Sequence, residues 1–236
     1  LTRARLPSLS VLCPMYDEPD HVVAALAASL ARLDYPRDRF EVAFVVEETD
    51  PGTLAAALAA AAPYGYGVVA VRDVGPRTKP KALNAALART SGRLVAVYDA
   101  EDAPAPDQLR AAAEAFAADA RLGCVQAPLG WYNDKETWIT GQFTLEYAAQ
   151  FHVMLPFYRR IGWPPPLGGT SNVFRRDALE ACTGWDPFNV TEDADVGFRL
   201  ARFGWRIGLI EPGTLEEAPL GVAPWLAQRS RWLKGH

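Results

Sequence analysis

Three carboxyl groups are crowded into four positions of the sequence, at Asp99, Glu101 and Asp102. They follow the apolar run from Leu94 to Val97, which predicts a buried strand. Like charges this close repel one another, so the arrangement calls for a compensating partner. Asp99 and Glu101 would face the same way in an extended chain, which suits a hard divalent cation such as Mg²⁺. A solvated acidic turn before the next helix explains the same residues equally well.

A second acidic pair, Glu192 and Asp193, follows Thr191 at the predicted start of a helix. Threonine is a normal helix N-cap, and acids in the first turn suit the helix dipole, so the pattern alone favours ordinary capping. The chemical interpretation is a general base. A carboxylate beside helix N–H groups stays ionised and can deprotonate an attacking hydroxyl.

Gln228, Arg231 and Trp232 have the spacing i, i+3, i+4 and would share one face of a helix. A flat indole can stack on a sugar, and a guanidinium can grip a diphosphate through two parallel hydrogen bonds. The alternative is a plain amphipathic helix in which Arg229 and Arg231, with Lys234, form a solvated basic edge.

Two further segments are candidates for ligand contact. Lys79 and Lys81 flank Pro80 at a predicted helix start, where cations oppose the dipole and a bound anion would remove the conflict. A pair of surface lysines is the alternative. The loop from Gly168 to Asn172 offers backbone N–H groups and hydroxyls to a ligand, or it is a plain turn into a strand at Val173.

Strands and helices alternate in the first half of the chain. The predicted strands are 8–13, 42–46, 68–71 and 94–98, and the predicted helices are 21–33, 50–62, 80–88 and 106–120. This alternation predicts an α/β fold with a mostly parallel sheet and helices on both faces. Ligands bind at the carboxyl ends of such strands, where Asp99 and Glu101 lie. No GxGxxG fingerprint follows the first strand.

The second half is less regular. We predict a strand at 125–127, a long helical stretch at 138–158, a loop at 163–169, a helix at 191–202, a strand at 206–210 and a last helix at 224–234. One domain over residues 1–236 is expected, with a nucleotide-sugar half (1–125) and an acceptor half (126–236).

Composition excludes several classes of protein. Half of the 236 residues are hydrophobic and 22% are charged, so a packed core is expected. A net charge of −4 argues against a nucleic-acid surface. Cys13, Cys124 and Cys182 lack metal-type spacing and are expected to be reduced thiols. No apolar run is long enough to cross a membrane. The first residue, Leu1, and the ending at His236 are taken as signs of a fragment of a longer membrane protein.

Taken in order, the motifs resemble those of the family 2 glycosyltransferases, specifically the processive, cellulose-synthase-like branch. The segments are CPMYDE at 13–18, EETD at 47–50, KPKALN at 79–84, DAE at 99–101, TED at 191–193 and QRSRW at 228–232. The resemblance implies a GT-A fold, a nucleotide-diphosphate-sugar donor (a UDP-sugar first), Mg²⁺ or Mn²⁺, and inverting growth of a β-linked polysaccharide. It also implies a cytoplasmic position at a bacterial inner membrane, attached through segments outside this chain.

The resemblance assigns roles residue by residue. It implies that Asp99 and Glu101 hold the metal, and that Asp193, beside Glu192, is the catalytic base with Arg231 at the diphosphate. The implied donor contacts are Pro14, Tyr16, Glu18, Glu48, Lys81, Asn84 and Asp99. The implied acceptor contacts are Gly169, Thr170, Ser171, Asn172, Gln228 and Trp232.

Two positions depart from the family pattern. Glu101 replaces the usual second Asp, and the acids at 47–50 are not of the usual Asp-Asp-Gly type, so the acid that contacts the base stays open. Two alternatives also stay open for the function. One is a non-processive transferase acting on a lipid or protein, and the other is an inactive module that binds nucleotide sugars.

Overall fold

The computed structural model describes residue 2 and residues 5–235, leaving the side chains at 231, 234 and 235 undescribed. A seven-stranded sheet in the order β3-β2-β1-β4-β8-β6-β9 forms the centre of this part of the chain. Its strands are β1 (Leu9–Met15), β2 (Phe40–Glu47), β3 (Gly67–Val71), β4 (Leu94–Val97), β6 (Leu122–Gln126), β8 (Asn172–Arg175) and β9 (Arg206–Leu209).

The central strands are apolar on both faces because both faces are covered. Val11 and Phe44 pack into a core on one side of the sheet, and Leu12 and Phe174 pack into a core on the other side. Near-continuous apolar strands of this kind are typical of parallel sheets. The expected α/β architecture is therefore confirmed, with one difference. Strand β8 runs antiparallel to both of its neighbours.

Helices connect the strands and cover both faces of the sheet. Their bounds are α1 (Asp20–Ala31), α2 (Pro51–Ala61), α3 (Lys79–Leu87), α4 (Gln108–Ala118), α5 (Trp138–Ala149), α6 (Leu155–Arg160), α7 (Arg176–Ala181), α8 (Glu192–Arg202) and α9 (Val222–Gly235). A π-helical segment, Gln150–Met154, joins α5 to α6, so the long helical stretch that the sequence predicts at 138–158 is continuous. No helix of the described residues is long and apolar enough to cross a membrane.

A small second sheet lies beside the main one in the order β5-β10-β7. Its strands are β5 (Ala103–Pro104), β7 (Leu129–Trp131) and β10 (Thr214–Glu216). The sequence does not predict them because two or three residues carry no alternating pattern. The sheet matters for function, since it connects the acidic turn after β4 to the segment before α9.

Candidate functional site

A cleft of about 1080 Å³ opens at the carboxyl ends of β1, β2 and β4. Most of the residues singled out in the sequence line it, from both halves of the chain. They are Pro14, Tyr16, Glu18, Asp99, Glu101, Gly169, Thr170, Glu192, Asp193, Gln228 and Trp232. The remaining candidates, Glu48, Lys81, Asn84, Ser171 and Asn172, do not line the cleft, and the side chain of Arg231 lies outside the described part of the structure.

The acidic segment after β4 is a turn that Asp102 shapes. The buried Asp102 carboxylate accepts a hydrogen bond from the Asp99 N–H at 2.8 Å and another from the Thr170 hydroxyl, and the Asp102 N–H donates to the Asp99 carbonyl at 3.2 Å. Burial, reinforced by the Asp99 charge, raises the pKa of Asp102 well above its usual range. Asp99 and Glu101 thus reach the cleft from a turn, rather than from the extended strand that the sequence predicts.

Lys79 lines the cleft between Asp99 and Gly169. Its ammonium contacts the Asp99 carboxylate and donates to the Gly169 carbonyl at 2.6 Å. Burial lowers the pKa of Lys79, but Asp99 and Glu192 outweigh it and hold this pKa above the ordinary value. These carboxylates therefore offset the unfavourable interaction between a lysine and the N-terminus of a helix that the sequence indicates. No bound anion is needed to offset it.

Lys81 lies behind the cleft wall. Its ammonium donates to Glu47 at 3.0 Å, and both side chains are largely buried. Glu47 lines the cleft and its other oxygen, Oε1, is buried without a hydrogen-bond partner, whereas the neighbouring Glu48 is exposed and outside the cleft. Of these two acids, Glu47 is the one placed to meet a ligand.

Carboxyl groups crowd one end of the cleft. Burial, followed by the charges of Glu101 and Asp99, raises the pKa of Glu18 to about 7. Desolvation and the Asp99 charge also raise the pKa of Glu101. Burial, followed by the charges of Asp102, Asp99 and Glu101, raises the pKa of Glu216 well above its usual range, and its Oε1 has no hydrogen-bond partner.

This donor set fits a hard divalent cation. Carboxylate oxygens are the ligands that Mg²⁺ and Mn²⁺ take, and a bound cation would offset both the burial and the mutual repulsion that raise these pKa values. Within the described residues no preformed cluster of three or more such side chains is present. Asp99 and Glu101 would therefore hold the ion together with oxygens from a ligand.

Glu192 and Asp193 form the first turn of α8 and face the same cleft. A Cβ placed on Gly169 would lie 3.8 Å from Asp193 Oδ2 and 3.9 Å from Lys79 Nζ, so these three residues meet at one point. Burial raises the pKa of Asp193, although the Ala194 N–H and Lys79 oppose the shift. Burial likewise raises the pKa of Glu192 to about 7. The helix start therefore does not keep these acids as acidic as the sequence predicts, because burial outweighs the N–H groups.

The glycine-rich loop exposes backbone and hides side chains. Gly169 is exposed in the cleft, but Thr170, Ser171 and Asn172 are buried. Ser171 donates to the Thr214 hydroxyl at 2.5 Å, and Asn172 donates to the Gly168 carbonyl at 2.6 Å. The expectation of exposed hydroxyls is thus wrong for this loop, because those groups hold its shape.

Helix α9 lines the cleft through Gln228 and Trp232. Arg229 is bound to the Glu146 carboxylate through both of its terminal nitrogens, and its guanidinium lies 4.9 Å from the Phe143 ring and 4.8 Å from the Trp232 ring. The alternative that places Arg229 on a solvated basic edge is therefore wrong. Arg229 fastens α9 to α5 and covers one face of Trp232.

Two of the candidate residues do not line the cleft but hold segments that do. Asn84 donates to the Trp185 carbonyl at 2.7 Å and accepts from the Trp185 N–H at 3.0 Å, which anchors the loop that leads into α8. Asp50 caps α2 through the Thr53 N–H and accepts from the Asp17 N–H at 2.6 Å, which holds the segment containing Tyr16 and Glu18 against α2.

Comparison with protein families decides the classification. Residues 7–235 match the model of the "Glycosyltransferase like family 2". The chain belongs to this glycosyltransferase family. The membership in the family 2 glycosyltransferases that the motifs predict is confirmed. Its assignment to the processive, cellulose-synthase-like branch of that family stays a prediction.

The relatives of this family 2 glycosyltransferase carry names that indicate different products, a glycolipid in one case and a polysaccharide in another. The chain is 32% identical to a β-monoglucosyldiacylglycerol synthase of Trichormus variabilis, over 98% of this chain and 49% of that protein. It is 28% identical to a cellulose synthase catalytic subunit of Xanthomonas axonopodis pv. citri, over 97% of this chain and 31% of that protein. The chain thus spans about half or less of the length of these relatives.

The fold of the glycosyltransferase matches solved structures. A mannosyltransferase of Pyrobaculum calidifontis, solved with GDP-mannose and Mn²⁺, superposes with a TM-score of 0.73 at 24% identity, covering 98% of this chain and 63% of that one. The expected GT-A fold is confirmed by this likeness.

Several residues that line the cleft of this family 2 glycosyltransferase were not predicted from the sequence as ligand contacts. The motifs assign the donor contact to Lys81 and not to Lys79, although the two lysines are equally spaced around Pro80. The motifs likewise indicate Glu48 rather than Glu47, and they do not include Glu216. The signal for Glu216 was available, since two consecutive acids, Glu216 and Glu217, precede the last helix.

Proposed function

We propose that the cleft transfers a sugar from a nucleotide-diphosphate sugar, in the first place a UDP-sugar, to an acceptor hydroxyl with inversion at the anomeric carbon. The observation that carries the proposal is the meeting of Asp193, Lys79 and Gly169 beside the Asp99–Glu101 turn. A base, a cation and a pair of metal-type carboxylates then face one cavity, as a displacement on a phosphorylated sugar requires.

The donor lies at the end of the cleft formed by β1, β2 and β4. Tyr16 and Glu18 line this end, and the unpartnered Glu47 Oε1 offers an acceptor to an N–H of the nucleobase. The Lys79 ammonium lies on the side where the diphosphate would sit, and its raised pKa keeps it charged there. Glu47 and Lys79 thus take the roles that the resemblance gives to Glu48 and Lys81.

Asp99 and Glu101 would hold Mg²⁺ or Mn²⁺ against the diphosphate. Such an ion supplies positive charge that neutralises the departing phosphate oxygens. The crowded carboxyl groups of the cleft support this assignment, as does the Mn²⁺ named with the mannosyltransferase of similar fold.

Asp193 performs the proton transfer. Its carboxylate removes the proton of the acceptor hydroxyl while that oxygen forms a bond to the anomeric carbon from the face opposite the phosphate. The bond from the anomeric carbon to the diphosphate breaks with its electron pair, and the nucleoside diphosphate leaves. One displacement inverts the configuration and needs no covalent sugar on the protein.

Two acceptor classes are supported by separate observations. A lipid hydroxyl is favoured by the 32% identity to a protein named as a β-monoglucosyldiacylglycerol synthase. A growing β-linked polysaccharide is the second candidate, supported by the likeness to a cellulose synthase subunit and by the aromatic wall of Trp131, Tyr147 and Trp232.

Nucleoside diphosphate release by the full-length protein in membranes tests the proposal. We would supply UDP-, GDP- and ADP-sugars, with diacylglycerol or a β-linked oligosaccharide as acceptor, with and without a chelator. We expect one donor class to turn over, with one acceptor, only when a divalent cation is present. Donor binding without turnover on any acceptor would support an inactive binding module, and turnover that survives the chelator would remove the metal role of Asp99 and Glu101.

A further inference from the structure

The small β5-β10-β7 sheet contributes one of its faces to the cleft. Trp131 of β7 and Glu216 of β10 lie directly opposite each other in a parallel register, and both side chains line the cleft. Leu129 lines it too, because residues two positions apart in a strand face the same side. The sheet thus adds side chains to the cleft that none of the sequence motifs contains.

Three polar atoms of the cleft wall are buried and have no hydrogen-bond partner among the described residues. They are Trp131 Nε1, Glu216 Oε1 and Gln228 Oε1, contributed by β7, β10 and α9. Glu216 and Gln228 are partly exposed residues, so a ligand in the cleft can reach them. Buried polar groups are nearly always paired, so three unpaired ones at one wall indicate that a polar ligand completes them.

The chemical types of these atoms define the groups that the ligand must carry. Trp131 Nε1–H donates a hydrogen bond, Gln228 Oε1 accepts one, and Glu216 accepts through at least one oxygen whether or not it is ionised. A hydroxyl donates a single hydrogen bond, and the reacting hydroxyl gives its proton to the proposed base, Asp193. The oxygens of Glu216 and Gln228 therefore require two further O–H or N–H groups on the same molecule.

Tyr147 shows that this group of atoms is close to the proposed base. Its ring lies 4.6 Å from the Trp131 ring, and its side chain also lines the cleft. Burial, followed by the Glu216 charge, raises the pKa of the Tyr147 hydroxyl, and Asp193 contributes to the same shift. Glu216 and Asp193 are therefore both within electrostatic range of one hydroxyl in the cleft.

We propose that Glu216 determines which molecule is glycosylated, by binding, together with Trp131 and Gln228, hydroxyl groups next to the one that reacts. The inference rests on the proposed sugar transfer and names the class of the acceptor substrate. That class is a sugar ring, at the end of a saccharide or on a glycolipid, because a ring carries several neighbouring hydroxyls. Diacylglycerol carries one hydroxyl, which would leave the oxygens of Glu216 and Gln228 unpaired.

Two other roles for Glu216 are less well supported. Among the described residues it forms no metal-type cluster of three with Asp99 and Glu101, so it is distinct from the carboxyl groups that would hold the cation. It also contributes little to holding the fold, because a buried oxygen without a partner can be replaced by an apolar group at no loss of stability. The affinity for Mn²⁺ and the melting temperature therefore separate the proposed role from both.

Acceptor kinetics of the full-length protein in membranes test the proposal. Turnover is measured at saturating donor with β-linked oligosaccharides of glucose and of mannose, with β-glucosyldiacylglycerol and with diacylglycerol. The test variants are Glu216→Leu, Glu216→Gln and Trp131→Phe. The matched control is Glu211→Leu, which removes an exposed acid of the segment before β10 that does not line the cleft. Donor affinity, Mn²⁺ affinity and the melting temperature are measured for each variant.

We expect turnover on an acceptor that carries a sugar ring, and the oligosaccharide and glycolipid arms show which kind it is. Glu216→Leu should raise the KM for this acceptor by at least about tenfold, and Trp131→Phe should raise it by a smaller factor, because each variant loses a hydrogen bond to a bound hydroxyl. Glu216→Gln keeps an accepting oxygen and should stay within about threefold, and the control within about twofold. Donor affinity, Mn²⁺ affinity and the melting temperature should not fall in Glu216→Leu.

An unchanged acceptor KM in Glu216→Leu would overturn the inference and leave the proposed sugar transfer in place. Turnover on diacylglycerol alone would do the same, as would a loss of Mn²⁺ affinity in Glu216→Leu, which would place this residue at the metal. If no acceptor is glycosylated, the proposed function fails, and saturation-transfer NMR of the full-length protein with UDP, Mn²⁺ and the oligosaccharides tests Glu216 by itself. Saccharide binding that Glu216→Leu weakens would support its role, and absence of binding to the unchanged protein would overturn it.

Discussion

At the scale of single residues, the cleft is organised around charges that oppose one another. The Lys79 ammonium is paired with the Asp99 carboxylate, and both Lys79 and Asp193 lie next to Gly169. The carboxyl groups of Glu18, Glu101 and Glu216 lie close to this cluster. Burial raises the pKa of Asp193, Glu18, Glu101 and Glu216, so the cleft is poised to take up positive charge and a ligand that carries it.

The two lysines of α3 should behave differently when replaced. Lys79→Met removes the cation beside Asp99 and should weaken donor binding by about tenfold. Lys81→Met leaves the buried Glu47 unpaired, so we expect it to lower the free energy of unfolding by about 3 kcal/mol. Donor titration and thermal melting distinguish the two effects, and a stable Lys81→Met protein that no longer binds donor would reverse our assignment.

The pH dependence of turnover should reflect Asp193. Burial raises the pKa of Asp193, so with Asp193 as the proposed base we expect activity above that raised pKa and its loss as the pH falls through it. Lys79 favours the ionised form, and Lys79→Met should therefore move the acidic limb of the kcat profile to higher pH. A limb that stays in place or moves to lower pH would argue against Asp193 as the base.

The residue types and their spacing predicted much of the candidate site. They did not predict which hydrogen-bond and ion-pair partners these residues have. Asp99, Glu101 and Asp193 reach one cleft as the spacing of the motifs suggests. The sequence could not decide between Lys79 and Lys81 as the lysine of the cleft. That depends on the fold, in which Lys79 points towards the turn after β4 and Lys81 points towards β2. The buried hydroxyls of Thr170 and Ser171 likewise depend on contacts made across 68 and 43 positions of the chain.

At the scale of elements, three connections hold the chemistry in place. Asp102 joins the turn after β4 to the Gly169–Thr170 loop, Asn84 joins α3 to the loop before α8, and Arg229 joins α9 to α5. The main strands and helices were predictable because their apolar patterns are long. The small β5-β10-β7 sheet and the antiparallel β8 were not, since short strands carry no direction in their sequence.

Asp102→Ala should loosen the acidic turn. It removes the acceptor for both the Asp99 N–H and the Thr170 hydroxyl, which should cost about 2–3 kcal/mol of stability. Asp102→Asn keeps an oxygen for both donors and should cost less. Melting of the two variants checks this order, and equal loss in both would mean that charge rather than hydrogen bonding is what Asp102 supplies.

Asn84→Ala should act on the approach to α8 rather than on the donor. Losing both hydrogen bonds to Trp185 frees the loop before Glu192 and should cost about 1–3 kcal/mol. We expect kcat to fall while donor affinity stays close to that of the unchanged protein. Loss of donor affinity with an unchanged melting temperature would instead support the direct donor contact that the resemblance implies.

At the scale of the whole molecule, the long α5–π–α6 helix and the small sheet line the cleft together. The helix lines it through Tyr147 and Gln150, and the sheet lines it through Trp131 and Glu216, the proposed acceptor-specificity residue. The sequence predicted this helix and its aromatic content, but it could not predict which of its aromatic residues face the cleft. That depends on the packing of Phe143 and Tyr147 against Trp131 of β7.

Sugar transfer by the cleft, with Asp193 as its base, is the central claim, and Asp193→Asn compared with Asp195→Asn tests it most directly. Asp195 lies two residues further along α8 and is paired with Arg199, so it is a matched acid whose carboxyl has a partner on its own helix. Turnover of the nucleotide sugar by the full-length protein is the measurement, with donor affinity measured alongside. We predict that Asp193→Asn lowers kcat by at least about a hundredfold with donor affinity retained, and that Asp195→Asn keeps most of the activity. Turnover by Asp193→Asn equal to that of the unchanged protein would contradict the account.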